Sequence, residues 1–159
     1  MSRLLLFLVL LHVPFATLAD DRAKLIGNWR LVSWVTELQE TGERRPGLGG
    51  KTSGWTIFTP EGRMMGLITA EGRKPAKTDE ERAALFNTML SYTGMYRIEG
   101  DKFITRVDHS WNEAWTGTEQ VRFYKLDGDK LDIISAWVRS PTIPGEPMVR
   151  GILTWQRVK

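Results

Sequence analysis

The sequence predicts an all-β protein, an eight-stranded antiparallel up-and-down barrel with one short α-helix between the third and fourth strands. Three observations point there. From residue 25 onward, segments rich in β-branched and aromatic residues recur at hairpin spacing. The turn clusters between them are short and sequential, as in Pro60-Glu61-Gly62, Glu99-Gly100-Asp101 and Asp127-Gly128-Asp129. The one break in the β pattern, residues 78–91, has helical spacing instead. A two-sheet sandwich is the competing arrangement, and the short sequential turns favour the barrel.

The elements follow in order. Residues 25–38, LIGNWRLVSWVTEL, read as the first strand, and 41–50 as a turn cluster with four glycines and Pro46. Residues 55–59 and 64–69 read as the second and third strands. Thr78-Asp79-Glu80-Glu81 is a capping box, in which the Thr78 hydroxyl accepts from the Glu81 N–H while Glu81 reaches back. Ala84, Leu85, Thr88 and Met89 continue that helix. Five more strands are expected at 92–98, 103–111, 120–126, 131–138 and 149–158, with a proline-rich loop at 141–147.

The segment before the barrel has a different character. Met1-Ser2-Arg3 is a positive start, residues 4–13 are nearly continuously apolar, Pro14 breaks the run, and Ala16-Thr17-Leu18-Ala19 supplies small residues for cleavage. This is the pattern of a secretory signal peptide. The apolar run falls short of the roughly 20 residues of a membrane span. The expected division is a signal peptide over residues 1–19 and a barrel domain over 20–159, with an uncleaved anchor as the alternative. The mature chain is then exported, periplasmic or secreted, with no stable membrane span.

Composition narrows the chemistry. The chain has 159 residues, 42% hydrophobic and 26% charged, which suits one globular domain. With no cysteine there is no disulfide, thiolate metal site or cysteine nucleophile. Two histidines, one of them in the leader, argue against a metal centre, so no metal and no cofactor are expected. The net charge is +3, and no basic run exceeds Arg44-Arg45, which argues against nucleic acid as a partner.

Several motifs together carry a family resemblance. Gly27-Asn28-Trp29 is the Gly-x-Trp of calycin-type barrels, near the expected mature N-terminus. With Arg30-Leu31-Val32-Ser33-Trp34, Gly54-Trp55-Thr56-Ile57-Phe58-Thr59, Tyr92-Thr93-Gly94-Met95-Tyr96, the run Trp115 through Phe123, and Leu153-Thr154-Trp155-Gln156-Arg157, the chain resembles the bacterial and fungal lipocalin-like domain family. The resemblance covers nearly the whole mature chain. It implies a barrel whose end is plugged by Trp29 beneath an arginine, either Arg157 or Arg150. It transfers no single activity. The Thr-Asp-Tyr turn and the cysteine bridge of vertebrate-type lipocalins are missing, so their partners are not carried over.

Which side chains face inward depends on turn register. A two-residue loop at Asp127-Gly128 pairs Tyr124 with Leu131 and sets Arg122 opposite Ile133. Gln120, Arg122 and Tyr124 then face inward beside Leu131, Ile133, Ser135 and Trp137. The same reading at Glu99-Gly100 pairs Tyr96 with Phe103 and lines the interior with Phe103, Thr105, Val107 and His109. A three-residue loop at 127–129 is the competing register, turning Val121 and Phe123 inward and Arg122 out. In the first register Val121 and Phe123 need external cover, and the apolar stripe of the helix can lie there, or over Val32 and Trp34.

The candidate ligand-binding residues are Trp55, Met65, Tyr96, Thr105, His109, Arg122, Tyr124 and Trp137. Arg122 is the best anion binder, since an inward guanidinium needs a carboxylate, a ligand or water. His109 is the natural acid–base group, although strand alternation separates it from Asp108. No Gly-x-Ser-x-Gly, P-loop or metal-ligand spacing is present. The leading expectation is binding of a small apolar or amphipathic molecule, its mouth framed by residues 41–50 and 141–147. The alternatives are an isomerase, cyclase or lyase in which Arg122 holds a carboxylate and His109 or Tyr96 moves a proton, and a filled barrel serving as an interaction module.

Overall fold

The structure is a computed structural model that describes residues 18–140 and 143–159. In chain order its elements are α1 (Leu18–Leu25), β1 (Gly27–Leu38), β2 (Arg44–Pro46), β3 (Thr52–Phe58), β4 (Arg63–Ala70), α2 (Asp79–Phe86), β5 (Met89–Glu99), β6 (Lys102–Ser110), β7 (Glu119–Asp127), β8 (Lys130–Ser135), β9 (Val138–Arg139) and β10 (Met148–Val158). Eight long antiparallel strands run in the order β1-β3-β4-β5-β6-β7-β8-β10, and pairing of β1 with β10 closes the ring. The closed barrel excludes the sandwich. The fragments β2 and β9 extend the sheet beside β1 and β10.

The helix α2 lies between β4 and β5, and both arms of its capping box form. None of its residues is buried, so it covers neither Phe123 nor Val32, which stay exposed. A second helix, α1, was not expected. It packs at the barrel end where Leu25 is buried, and Arg22 donates to the Pro60 carbonyl. The expected cleavage point after Ala19 falls within α1, and residues 1–17 of the leader lie outside the described residues.

Both hairpin registers differ from expectation by two residues. The loops are Gly128-Asp129 and Gly100-Asp101, with Asp127 opposite Lys130 and Glu99 opposite Lys102. Each loop puts its glycine first, with φ of 55° and 61°, where a II′ turn demands a positive φ and a side chain is disfavoured. Tyr124 therefore pairs with Ile133 and Arg122 with Ser135. A shift of two keeps every side chain on its face. Gln120, Arg122 and Tyr124 remain inward.

Two bulges change faces within a strand. Leu31 pairs with Trp155 and Ser33 with Thr154, so Val32 is an extra residue in β1. Trp29 and Leu31 face inward before the bulge, and Trp34 and Thr36 do so after it. In β6, Val107 pairs with Gly94 and His109 with Thr93, leaving Asp108 as the extra residue. Two neighbouring side chains then leave a strand on one side, which simple alternation forbids.

The densest core sits at the α1 end. Trp29 is fully buried, its indole N–H donates to the Leu25 carbonyl at 2.9 Å, and the Arg157 guanidinium lies 4.1 Å from its ring. Arg157 is thus the arginine over Trp29; Arg150 stacks on Trp137 instead. Arg157 also donates to the Ile26 and Lys24 carbonyls and pairs with Asp129. Behind Trp29, Phe58 meets Tyr96 and Phe103 edge-on, with centroids 5.1 and 5.3 Å away.

Candidate binding cavity

The other half of the barrel encloses a cavity of about 480 Å³. Strand alternation builds its wall: Met64 and Ile68 from β4, Leu90 and Tyr92 from β5, Ile133 from β8, and Leu153 and Trp155 from β10. Two inward positions carry no side chain. A Cβ on Gly66 would meet nothing nearer than Thr56 Oγ1 at 3.9 Å, so the glycine leaves real space. Gly151 is the other, on β10, where a Cβ would press on the Trp34 indole at 3.3 Å. Trp34 and Thr36 from β1, with Ser135, Ala136, Val138 and Val149, line the end nearest the loops that follow β1 and β8.

Arg122 is the one cationic side chain in this wall. Its guanidinium donates to the Val121 carbonyl at 2.8 Å and to Gln120 Oε1 at 3.2 Å. Its carbon lies 5.5 Å from the Trp115 ring and 5.8 Å from that of Tyr92. Trp115 is held edge-on by Tyr92 and Trp111. Neutral acceptors and ring faces offset part of the desolvation but do not cancel the charge. Among the described residues, Arg122 makes no ion pair. The nearby Glu119 carboxylate is taken by Arg97 at 2.6 Å.

Outside the cavity's end, Glu37 forms a charged knot. Arg44 donates to it at 3.0 and 3.1 Å, and Arg150 at 2.6 Å. The Arg150 hydrogen bond is the main influence on the Glu37 carboxyl and, with Arg44, outweighs burial and holds it below the usual carboxylate range. This ties β1, β2 and β10 together on the outer face.

Of the eight ligand-binding candidates, Arg122 alone lines the cavity. Trp55 and Met65 are on the outer face, 45% and 49% exposed, because Thr56, Met64 and Gly66 take the inward positions of their strands. His109 is also outside, its side chain 85% exposed, because the Asp108 bulge reverses its face. The same bulge brings His109 Nδ1 to 3.2 Å from Asp108 Oδ1, so the two do meet, at the surface. Burial pushes the Asp108 carboxyl up, but hydrogen bonds from Arg63 and His109 prevail and hold it low.

Tyr96, Thr105 and Tyr124 face inward as expected, yet sit in the packed half, with Tyr96 directly opposite Thr105. Burial raises the Tyr96 phenol above its ordinary value. Trp137 lies beyond the end of β8, where alternation no longer applies, and stacks 4.4 Å beneath Arg150. Sequence reasoning missed Trp34, Trp115 and Trp155 as wall residues. The signal for Trp34 is the parity break in Trp29, Leu31, Trp34, Thr36, the mark of a bulge.

A closed antiparallel barrel with an aromatic-walled cavity on one side and a tryptophan–arginine plug on the other defines the calycin-type class of barrels. The profile of the lipocalin-like domain matches residues 26–158, and the chain belongs to that family. A comparison with curated proteins returns no match. Among the described residues, no helix is long and apolar enough to cross a membrane.

Proposed function

We propose that this chain is an exported binding protein for a small, largely apolar molecule with an acidic group, held in the barrel cavity with its acid on Arg122. One observation carries the reading: in a mainly apolar, aromatic wall the Arg122 guanidinium makes no ion pair among the described residues, the one carboxylate of the lining, Glu119, being paired with Arg97. A planar donor fork of this kind suits a carboxylate. The cavity of about 480 Å³ has the size of small-molecule sites and speaks against a filled barrel. His109 and Tyr96, the proton carriers of the catalytic alternative, are outside the barrel and within the packed half.

The test is titration calorimetry with dodecanoic acid and its methyl ester. The acid is expected to bind about tenfold or more tightly than the ester, and Arg122→Gln to abolish the difference. Equal affinity for acid and ester in the unaltered protein would sink the reading. For export, the support is the leader pattern of residues 1–19. The contacts of α1 through Arg22 and Leu25 come after Ala19 and survive cleavage there. The intact mass of protein recovered from an exporting host should begin at Asp20; a mass retaining Met1 would refute cleavage.

A further inference from the structure

Resting on that reading, a second polar feature of the wall specifies the ligand further. The indole N–H groups of Trp34 and Trp155 are buried with no acceptor within hydrogen-bond reach, and both rings line the cavity. Trp155 is 2% exposed. Trp34 is placed by Gly151: a Cβ built there would lie 3.3 Å from Trp34 Nε1, 3.4 Å from Leu153 Cδ1 and 3.9 Å from Ser135 Oγ. Glycine at this inward position is therefore what lets the Trp34 indole stand there with its donor unused. Ser135 is already committed, donating to the Ala136 carbonyl and accepting the Gly151 N–H, each at 2.9 Å. The indole N–H is a donor only, so what it takes is an oxygen or nitrogen acceptor. Around the ring, Trp34 on β1 stands three strands from Arg122 on β7.

We propose that the ligand is an oxygenated acid. Its carboxylate sits on Arg122, and a carbonyl or ether oxygen on its apolar body accepts the Trp34 N–H beside Gly151. Trp155 offers a like donor to a second oxygen. A buried donor left unpaired by an unsubstituted chain is the basis of discrimination, because filling the wall with hydrocarbon strands the N–H.

The experiment is calorimetry on the whole protein with dodecanoic acid and its mono-oxo derivatives, the keto group walked along the chain. At least one oxo acid is expected to bind about tenfold more tightly than the parent. Gly151→Ala, whose Cβ presses on the Trp34 indole and shifts its N–H, should bring that preference within about twofold while the parent acid binds as before. Trp34→Phe should do the same, and Gly151→Ala decides the matter if Trp34→Phe does not fold. Arg122→Gln should weaken parent and oxo acids alike. If no oxo acid exceeds a parent whose binding still depends on Arg122, the acid reading stands and the oxygenated ligand is overturned. A parent acid that binds no better than its ester overturns both. A preference that survives Gly151→Ala overturns the Trp34 donor as its source.

Discussion

The two halves of the barrel use aromatic residues in opposite ways. In the closed half, Phe58, Tyr96 and Phe103 meet edge-on beneath Trp29 and leave no room. In the other half, Trp34, Tyr92, Trp115 and Trp155 stand around a free volume of about 480 Å³. The alternation that turns side chains inward is the same in both. The difference lies at single positions: inward glycines at 66 and 151, and an inward arginine in place of another apolar residue. A barrel of eight strands can be filled by its own side chains or hold one small ligand. Here each option is realised along one axis, so stability and binding are separable.

The largest test of that separation is Trp29→Ala. It empties a fully buried site, leaves the Leu25 carbonyl without the indole donor and removes the ring beneath Arg157, so a loss of about 3–5 kcal/mol is expected in urea unfolding. A loss under about 1 kcal/mol would mean that the closed half is not the stabilising core. Arg122→Met should move stability the other way, by about 1 kcal/mol upward, since an unpaired guanidinium in an apolar wall costs desolvation. Destabilisation by the same amount would show that the arginine is structural.

Glu37→Gln addresses the charged knot outside the cavity end. The folded carboxyl titrates below its unfolded value, so its contribution is full above the ordinary glutamate range. It is lost as the pH falls through the lowered folded value. Urea midpoints at neutral pH and near pH 3 should therefore differ more in the unaltered protein than in Glu37→Gln. Equal differences would show the knot to be neutral to folding. Smallest of all, His109→Ala should change stability by no more than about 0.5 kcal/mol and leave acid affinity unaltered, because the ring is in solvent outside the barrel. A measurable fall in affinity would place the binding surface elsewhere.

Much of the closed half was legible in the sequence. The family resemblance carried by Gly27-Asn28-Trp29 implied the plug, leaving Arg157 and Arg150 open as its arginine, and strand parity turned Tyr96, Phe103 and Tyr124 inward behind it. The inward face of Arg122 was legible too, because any two-residue loop preserves parity even when its position is misread. What escaped were the positions where parity fails. Val32 and Asp108 are ordinary strand residues, and nothing in their chemistry announces a bulge, yet they decide that Trp34 enters the cavity and His109 leaves it. Depth along the axis escaped as well. Tyr96, Thr105 and Tyr124 point the right way, and only the three-dimensional stagger of the strands puts them in the packed half.

Closure of the ring by β1 and β10 bears on when the chain can fold. The pairing runs from Asn28 opposite Val158 to Leu38 opposite Val149, so the first strand, already paired with β3 over Gly27–Arg30, gains this second long neighbour only once β10 exists. Every other long pairing joins strands adjacent or nearly so along the chain; this one spans the domain. A nascent chain is therefore an open sheet with two free edges until β10 is made. That delay leaves it vulnerable to edge-to-edge association.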